Sequence, residues 1–154
     1  MRYWLMKSEP EDLSIDDLAA EPDRDFEWTG VRNYQARNFM RDGMREGDLV
    51  LFWHSSCATP GIAGIAVVSG AARADSSQFD PASPWHDPAA DPASPRWVSV
   101  MVRFVSKSCL VPTATLRATP GLEDMQVLRK GNRLSVTPVS DEHWHLVQPL
   151  LTPR

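Results

Sequence analysis

This 154-residue chain lacks the features that mark a secreted, disulfide-stabilised or membrane-spanning protein. Its two cysteines, Cys57 and Cys109, are far apart and predict reduced thiols rather than a disulfide framework. No apolar run approaches the roughly 18 residues that a membrane helix needs. The N-terminus also lacks the long apolar region and the cleavage site of a secretory signal. We therefore expect a cytoplasmic location and no membrane partner.

The motifs of common catalytic sites are also missing. The sequence has no G-x-S-x-G nucleophile elbow, no Walker-type phosphate loop and no H-E-x-x-H zinc motif. His54 and Cys57 are three residues apart, but one such pair without a second is weak support for a metal site. We expect no cofactor and no metal. The enzymatic alternative is a small enzyme for a nucleotide-like substrate, with His54 or Glu9 as its general base.

An excess of positive charge is absent as well. The 16 lysines and arginines are outnumbered by 20 aspartates and glutamates, which gives a formal net charge of -4. Proteins that coat nucleic acid without sequence preference neutralise many phosphates, so this balance argues against that class. It still allows a small local group of cations.

Short apolar segments separated by glycine and proline turns are what the chain does contain. The run 49–53 is continuously apolar and predicts a strand buried on both faces. The even positions of 98–104 form one apolar face, and a last strand that starts at Leu134 is expected to stop at Pro138. The pattern predicts an α+β fold, in which a small, strongly bent β-barrel has short helices packed outside it. At this length we expect a single domain over residues 1–154.

Three residues are well placed to cap short helices. Ser14 and Asp17 form a capping box, and Ser140 precedes an apolar pattern with helical spacing. Asn33 is expected to accept hydrogen bonds from the first turn of a helix that follows Gly30. A helix start beside an aromatic ring suits a flat, polar ligand.

Tryptophan is the residue type in excess, with six in the chain. Trp28 and Trp85 lie on loops or strand ends and are candidates to stack on a planar ligand, since base–aromatic stacking contributes about 1–3 kcal/mol per base. Trp85 belongs to a proline-rich loop over 75–95, and loops of this length are usually functional, so we expect a lid. The other tryptophans lie in apolar patterns and are expected in the core: Trp4, Trp53, Trp97 and Trp144.

Three motifs are similar to those of the EVE domain family. They are YWLMKSEP at 3–10, WTGVRNYQARN at 28–38 and GDLVLFWHS at 47–55. The resemblance extends over nearly the whole chain, and the first two motifs are long enough to be specific. It implies a PUA-like barrel related to the YTH domains, which read N6-methyladenosine. Further similar segments lie at 79–81, 96–98 and 134–138.

The resemblance implies a noncatalytic reader of a modified base in DNA or RNA, such as a modified cytosine. Lys7-Ser8 and Trp28-Thr29 stand where YTH domains have a Lys-Ser turn and a Trp-Ser-like pair, so Trp28 would be one wall around a flipped-out base. Glu9 would accept a hydrogen bond from an exocyclic amine, and Trp85 is the candidate second wall by loop placement alone. The predicted base-binding residues are Ser8, Glu9, Trp28, Thr29, Asn33 and Trp85, and the predicted phosphate-binding residues are Lys7, Arg32, Arg37, Lys130 and Arg133.

Overall fold

The computed structural model describes residues 1–152, which form a mixed six-stranded sheet with four short α-helices. The α+β class is confirmed. The strands are β1 Tyr3–Ser8, β2 Phe26–Glu27, β3 Leu49–His54, β4 Gly61–Ala74, β5 Val98–Pro112 and β6 Val136–Val139. Their hydrogen-bonded order is β2-β5-β4-β3-β1-β6, and among these strands only β1 and β3 pair in parallel.

Two of the sequence predictions on architecture stay predictions. The hydrogen-bonded order has two end strands, β2 and β6, so it does not by itself give a closed barrel. The single domain predicted over residues 1–154 includes residues 153 and 154, which lie outside the described residues.

The central strand β3 is buried on both faces, as its apolar run predicted. Val50 and Phe52 join one core cluster, whereas Leu51 and Trp53 join the cluster on the opposite face of the sheet. This alternation follows from the period of two along a strand. The four tryptophans predicted to be core are buried, with exposed fractions of 2% to 7%.

Three of the four α-helices begin directly after capping residues that the sequence predicted. Ser14 and Asp17 form a capping box, Asn33 Oδ1 accepts hydrogen bonds from two backbone N–H groups of the next turn, and Ser140 Oγ accepts one from His143. None of the helices in the described residues is long and apolar enough to cross a bilayer. The helices are α1 Ile15–Ala20, α2 Tyr34–Asn38, which continues as a π-helical turn over Phe39–Gly43, α3 Thr113–Ala118 and α4 Asp141–Leu151.

The last strand corrects one expectation. β6 does not stop at Pro138 but runs through it to Val139, with Pro138 opposite Trp4. Because β6 is an end strand, a residue without an N–H group is tolerated on its open side.

The proline-rich loop is tied at its base by a buried glutamine. Gln78 Nε2 donates to the carbonyl oxygens of Asp75 and Trp97, both at 2.8 Å, and its Oε1 accepts from Trp97 N at 3.0 Å. Its own carbonyl accepts from Asp87 N at 2.9 Å. The start, middle and end of the loop therefore meet at one residue, which lies in a short 3-10 helix over Ser76–Phe79.

Candidate functional site

The candidate site lies where the parallel strands β1 and β3 end side by side. Ser8 and His54 are paired at this edge, and the segment that follows β2 passes beside them. An open cavity of about 370 Å³ lies there. Seven of the eleven predicted ligand-binding residues line it: Lys7, Ser8, Glu9, Trp28, Thr29, Trp85 and Arg133.

Trp28 forms one wall of this cavity and also belongs to the core. Its exposed fraction is 4%, equal to that of Trp53. Its ring packs edge-to-face on Phe52, with 5.2 Å between ring centroids, and its backbone N–H donates to Val100 O at 2.9 Å. Trp28 therefore belongs both to the core and to the lining of the cavity.

Trp85, which belongs to the proline-rich loop, also lines the cavity. Its side chain is partly exposed, at 39%. The indole lies on the backbone of Gly30, which has a φ of +86°. An L residue is strained at that φ, and a Cβ atom would meet the ring, so glycine is required there on both counts.

Arg32, which the sequence predicts to bind phosphate, does not line the cavity and donates hydrogen bonds within the protein. Its Nη1 donates to Asp75 Oδ2 at 3.0 Å and to Val31 O at 3.1 Å. Its Nη2 donates to Ser77 Oγ at 3.1 Å and to Trp85 O at 2.7 Å. The guanidinium is thus occupied by acceptors within the protein, and its role in phosphate binding stays a prediction.

Three further predicted residues lie away from the cavity. Asn33 uses its side-chain oxygen to cap α2, so it is not placed to read a base edge. Arg37 donates to Asn38 Oδ1 and to Arg96 O, and its guanidinium covers the ring of Tyr34. Lys130 is exposed on a turn and does not line the cavity.

The cavity carries charges of both signs. Burial lowers the pKa of the Lys7 ammonium, and Arg133 is exposed at the cavity mouth. The carboxylate of Glu27 accepts hydrogen bonds from Ser99 Oγ at 2.8 Å and from Ser76 N at 3.1 Å, so it is part of the wall. Glu9 is exposed at the rim. Such a site suits a planar, polar ligand joined to few phosphates.

His54 is not available as the general base of the enzymatic alternative. Its Nε2 accepts a hydrogen bond from Ile15 N at 3.1 Å, at the start of α1. Burial lowers the pKa of His54, which agrees with a neutral ring whose lone pair is already used. Within residues 1–152, no group of three or more histidine, cysteine, aspartate and glutamate side chains could hold a metal ion.

The sequence profile of the EVE domain family matches residues 2–150. The chain belongs to the EVE domain family. Thymocyte nuclear protein 1 from Homo sapiens is 39% identical over 165 residues, which cover 96% of this EVE domain protein and 73% of the human one. The vertebrate relatives are named as nuclear proteins, and this finding contradicts the cytoplasmic location predicted above.

Two solved structures share the fold of this EVE domain protein. A Pseudomonas putida protein superposes with a TM-score of 0.91 at 45% identity, covering 96% of this chain and 98% of that one. Human THYN1 protein, in complex with 5-methylcytosine containing DNA, superposes with a TM-score of 0.90 at 39% identity. That match covers 100% of this chain and 99% of the human one. The relative therefore binds DNA that carries a modified base.

Proposed function

We propose that this protein is a noncatalytic reader of a modified base in nucleic acid, and that the base is a modified cytosine. One flipped-out base would occupy the cavity lined by Trp28 and Trp85. The observation that carries the proposal is this shared cavity, where two indoles and the hydroxyl groups of Ser8 and Thr29 line one space of about 370 Å³. That volume is within the range of small-molecule sites. The human relative's complex with 5-methylcytosine containing DNA supports the choice of base.

The expected energies favour binding of a base that has left its stack. Flipping requires a few kcal/mol, and aromatic stacking returns about 1–3 kcal/mol per base. One methyl group buried against apolar surface adds only about 0.8 kcal/mol. Recognition of a modified cytosine therefore also needs hydrogen bonds to the base edge, which Ser8, Thr29 and Glu9 would supply. Glu9 would accept from the cytosine N4 amine.

Few phosphates would be held in this arrangement. Lys7 and Arg133 are the predicted phosphate-binding residues that line the cavity. The chain around them is net acidic, with a formal charge of -4. Binding of DNA or RNA should therefore depend on the base more than on the backbone. As a whole, residues 1–154 would form a single PUA-like barrel with this cavity at one end.

The experiment is a titration of fluorescein-labelled oligonucleotides, identical except for one central cytosine or 5-methylcytosine, in single-stranded and duplex form. We expect tighter binding to the methylated strand, and a loss of at least about tenfold for Trp85→Ala. Trp144→Phe is the control, because Trp144 belongs to the core cluster on the other face of the sheet and does not line the cavity. Equal affinity for both bases, or unchanged binding by Trp85→Ala, would overturn the proposal.

The noncatalytic part has its own test. The protein is incubated with the methylated oligonucleotide at stoichiometric concentration, and the nucleosides released by digestion are analysed by mass spectrometry. We expect the 5-methylcytosine to be recovered intact. Its conversion would favour the enzymatic alternative, with Glu9 rather than His54 as the base to substitute first.

A further inference from the structure

We propose that Arg32 is a positioning residue that holds Trp85 in place as a preformed wall, so that it governs affinity without contacting the bound nucleic acid. The inference rests on the proposed function, because it concerns the wall of the same cavity. It also replaces the lid predicted for Trp85, since a wall held in this way does not wait for a ligand to become ordered.

The first step is the spread of the hydrogen bonds of Arg32. One guanidinium joins the segment after β2 to two separate parts of the proline-rich loop. It contacts Asp75 and Ser77 at the start of the loop, and the carbonyl oxygen of Trp85 ten residues further on. The bond to Trp85 O is the shortest of them, at 2.7 Å. The backbone of Trp85 is thereby fixed relative to the segment after β2, which lines the cavity.

The second step is that Asp75 serves both sides of the contact. Its carboxylate is fully buried, and Oδ2 accepts from Arg32 Nη1 at 3.0 Å and from Gly30 N at 2.9 Å. Gly30 is the residue on which the indole of Trp85 lies. A single atom, Asp75 Oδ2, therefore joins the Gly30 peptide under the indole to the Arg32 guanidinium, which binds the carbonyl oxygen of that same tryptophan.

The third step is that an ammonium group could not replace this arrangement. The Arg32 guanidinium lies 5.3 Å from the ring centroid of Trp97 and 5.8 Å from that of Trp85. A planar fork can donate to four acceptors while it faces two aromatic rings, whereas lysine offers one nitrogen and a strongly hydrated charge. Arg32→Lys should thus keep the positive charge but lose the simultaneous hydrogen bonds to these acceptors.

A salt titration separates this role from phosphate binding. Affinity for the 5-methylcytosine oligonucleotide is measured at several salt concentrations for the parent, Arg32→Lys and Arg32→Gln. We expect both variants to bind at least about tenfold more weakly, with the parent's slope of log K against log salt. A phosphate ligand would behave differently, because Arg32→Lys would bind like the parent and Arg32→Gln would lose about 0.7–0.9 of slope. That pattern would overturn the inference.

A spectroscopic measurement follows Trp85 itself. The protein is labelled with 5-fluorotryptophan, and the ¹⁹F resonance of Trp85 is assigned from Trp85→Phe. We expect one sharp Trp85 resonance in the free parent, and a shifted or broadened one in Arg32→Lys while the resonances of the deeply buried indoles stay in place. Arg103→Lys is the control, since Arg103, on β5, forms an exposed ion pair with Asp25.

The outcomes remain distinguishable from failure of the proposed function. If the free parent shows the sharp resonance but binds no methylated oligonucleotide, the reader role fails and the positioning role stands. If Trp85 is already broad in the free parent, or is unchanged in Arg32→Lys, the positioning role fails. If Arg32→Lys does not fold, Ser77→Ala gives the same test, because it removes one hydrogen-bond acceptor of Arg32 and leaves the guanidinium in place. We expect a smaller shift of the Trp85 resonance in this variant.

Discussion

The indole of Trp85 lies so close to Gly30 that a Cβ atom on this glycine would stand 2.7 Å from the ring atoms Cε2 and Nε1. Real Cβ atoms do not approach other heavy atoms so closely, so one of the two groups would have to move. The contact connects the backbone after β2 with the tip of the proline-rich loop. Gly30 therefore decides where one wall of the cavity can stand.

Gly30→Ala should weaken binding beyond its effect on stability. Gly30 has a φ of +86°, where an L residue is strained by about 1–2 kcal/mol. Gly47→Ala is the matched control, because Gly47 has a φ of +97° and a Cβ there would meet nothing within 4 Å. We expect similar losses of unfolding free energy in urea for both variants, but weaker binding of the methylated oligonucleotide only for Gly30→Ala. Equal affinity of Gly30→Ala and Gly47→Ala for the methylated oligonucleotide would show that the contact between Gly30 and Trp85 does not contribute to binding.

Trp28 should be tested by a ring substitution rather than by truncation. Since Trp28 and Trp53 are equally buried, alanine at either position should cost about 3–5 kcal/mol of stability. Trp28→Phe keeps an aromatic ring against Phe52 but removes the indole surface that lines the cavity. We expect it to fold and to bind the methylated oligonucleotide more weakly, while Trp53→Phe binds like the parent. Parent-like binding by Trp28→Phe would place the stacking surface elsewhere.

The salt dependence of binding should be shallow and should depend on Arg133. With Lys7 and Arg133 as the cavity's cations, we expect a log–log slope of about -1 to -3 for single-stranded oligonucleotides. Arg133→Gln should remove about 0.7 of it, which corresponds to one phosphate contact. Lys130→Gln is the control, because Lys130 is exposed three residues earlier but does not line the cavity. A slope far steeper than -3 would contradict a small phosphate site.

His54 should make stability fall as the solution becomes acidic. Burial lowers its pKa in the folded state, so the unfolded chain takes up a proton first as pH falls below the ordinary value of about 6.5. The stabilisation is thus complete above that pH and is lost on the way down to the folded-state pKa. In urea unfolding at about pH 7.5 and about pH 5.5, His54→Gln should show a smaller decrease than the parent. His145→Gln, on the exposed side of α4, should lose as much unfolding free energy as the parent. A loss in His54→Gln equal to that of the parent would exclude His54 as the source of the pH dependence.

The features that the sequence predicted correctly are local ones. Ser14, Asn33 and Ser140 cap helices through hydrogen bonds to residues two or three positions away, so their roles can be read from neighbouring letters. The two-sided burial of β3 follows in the same way from five consecutive apolar residues. The resemblance to EVE domains then located the cavity through Ser8 and Trp28, which lie in its most specific motifs.

The features that the sequence missed depend on contacts across the chain. The partners of Arg32 lie 43 to 53 residues away, and no local pattern distinguishes an arginine held in this way from one that faces solvent or phosphate. Asp75 gave no signal for the same reason, although it joins Gly30 to Arg32. The double position of Trp28 had no local signal either, because a cavity wall beside a strand end is also the edge of the core.

The buried residue Gln78 divides the proline-rich loop into two parts that differ in how well they should tolerate insertions. Asp87 and Trp97 are held together by the bond from Trp97 Nε1 to Asp87 Oδ2 at 3.0 Å, and both contact Gln78. Residues 88–96 are thus an excursion closed at its own base. Doubling the length of a flexible excursion costs only about 0.6 kcal/mol, so insertions there can accumulate without displacing Trp85. This segment is where related chains can differ most in length, and where a reporter domain could be inserted into this one.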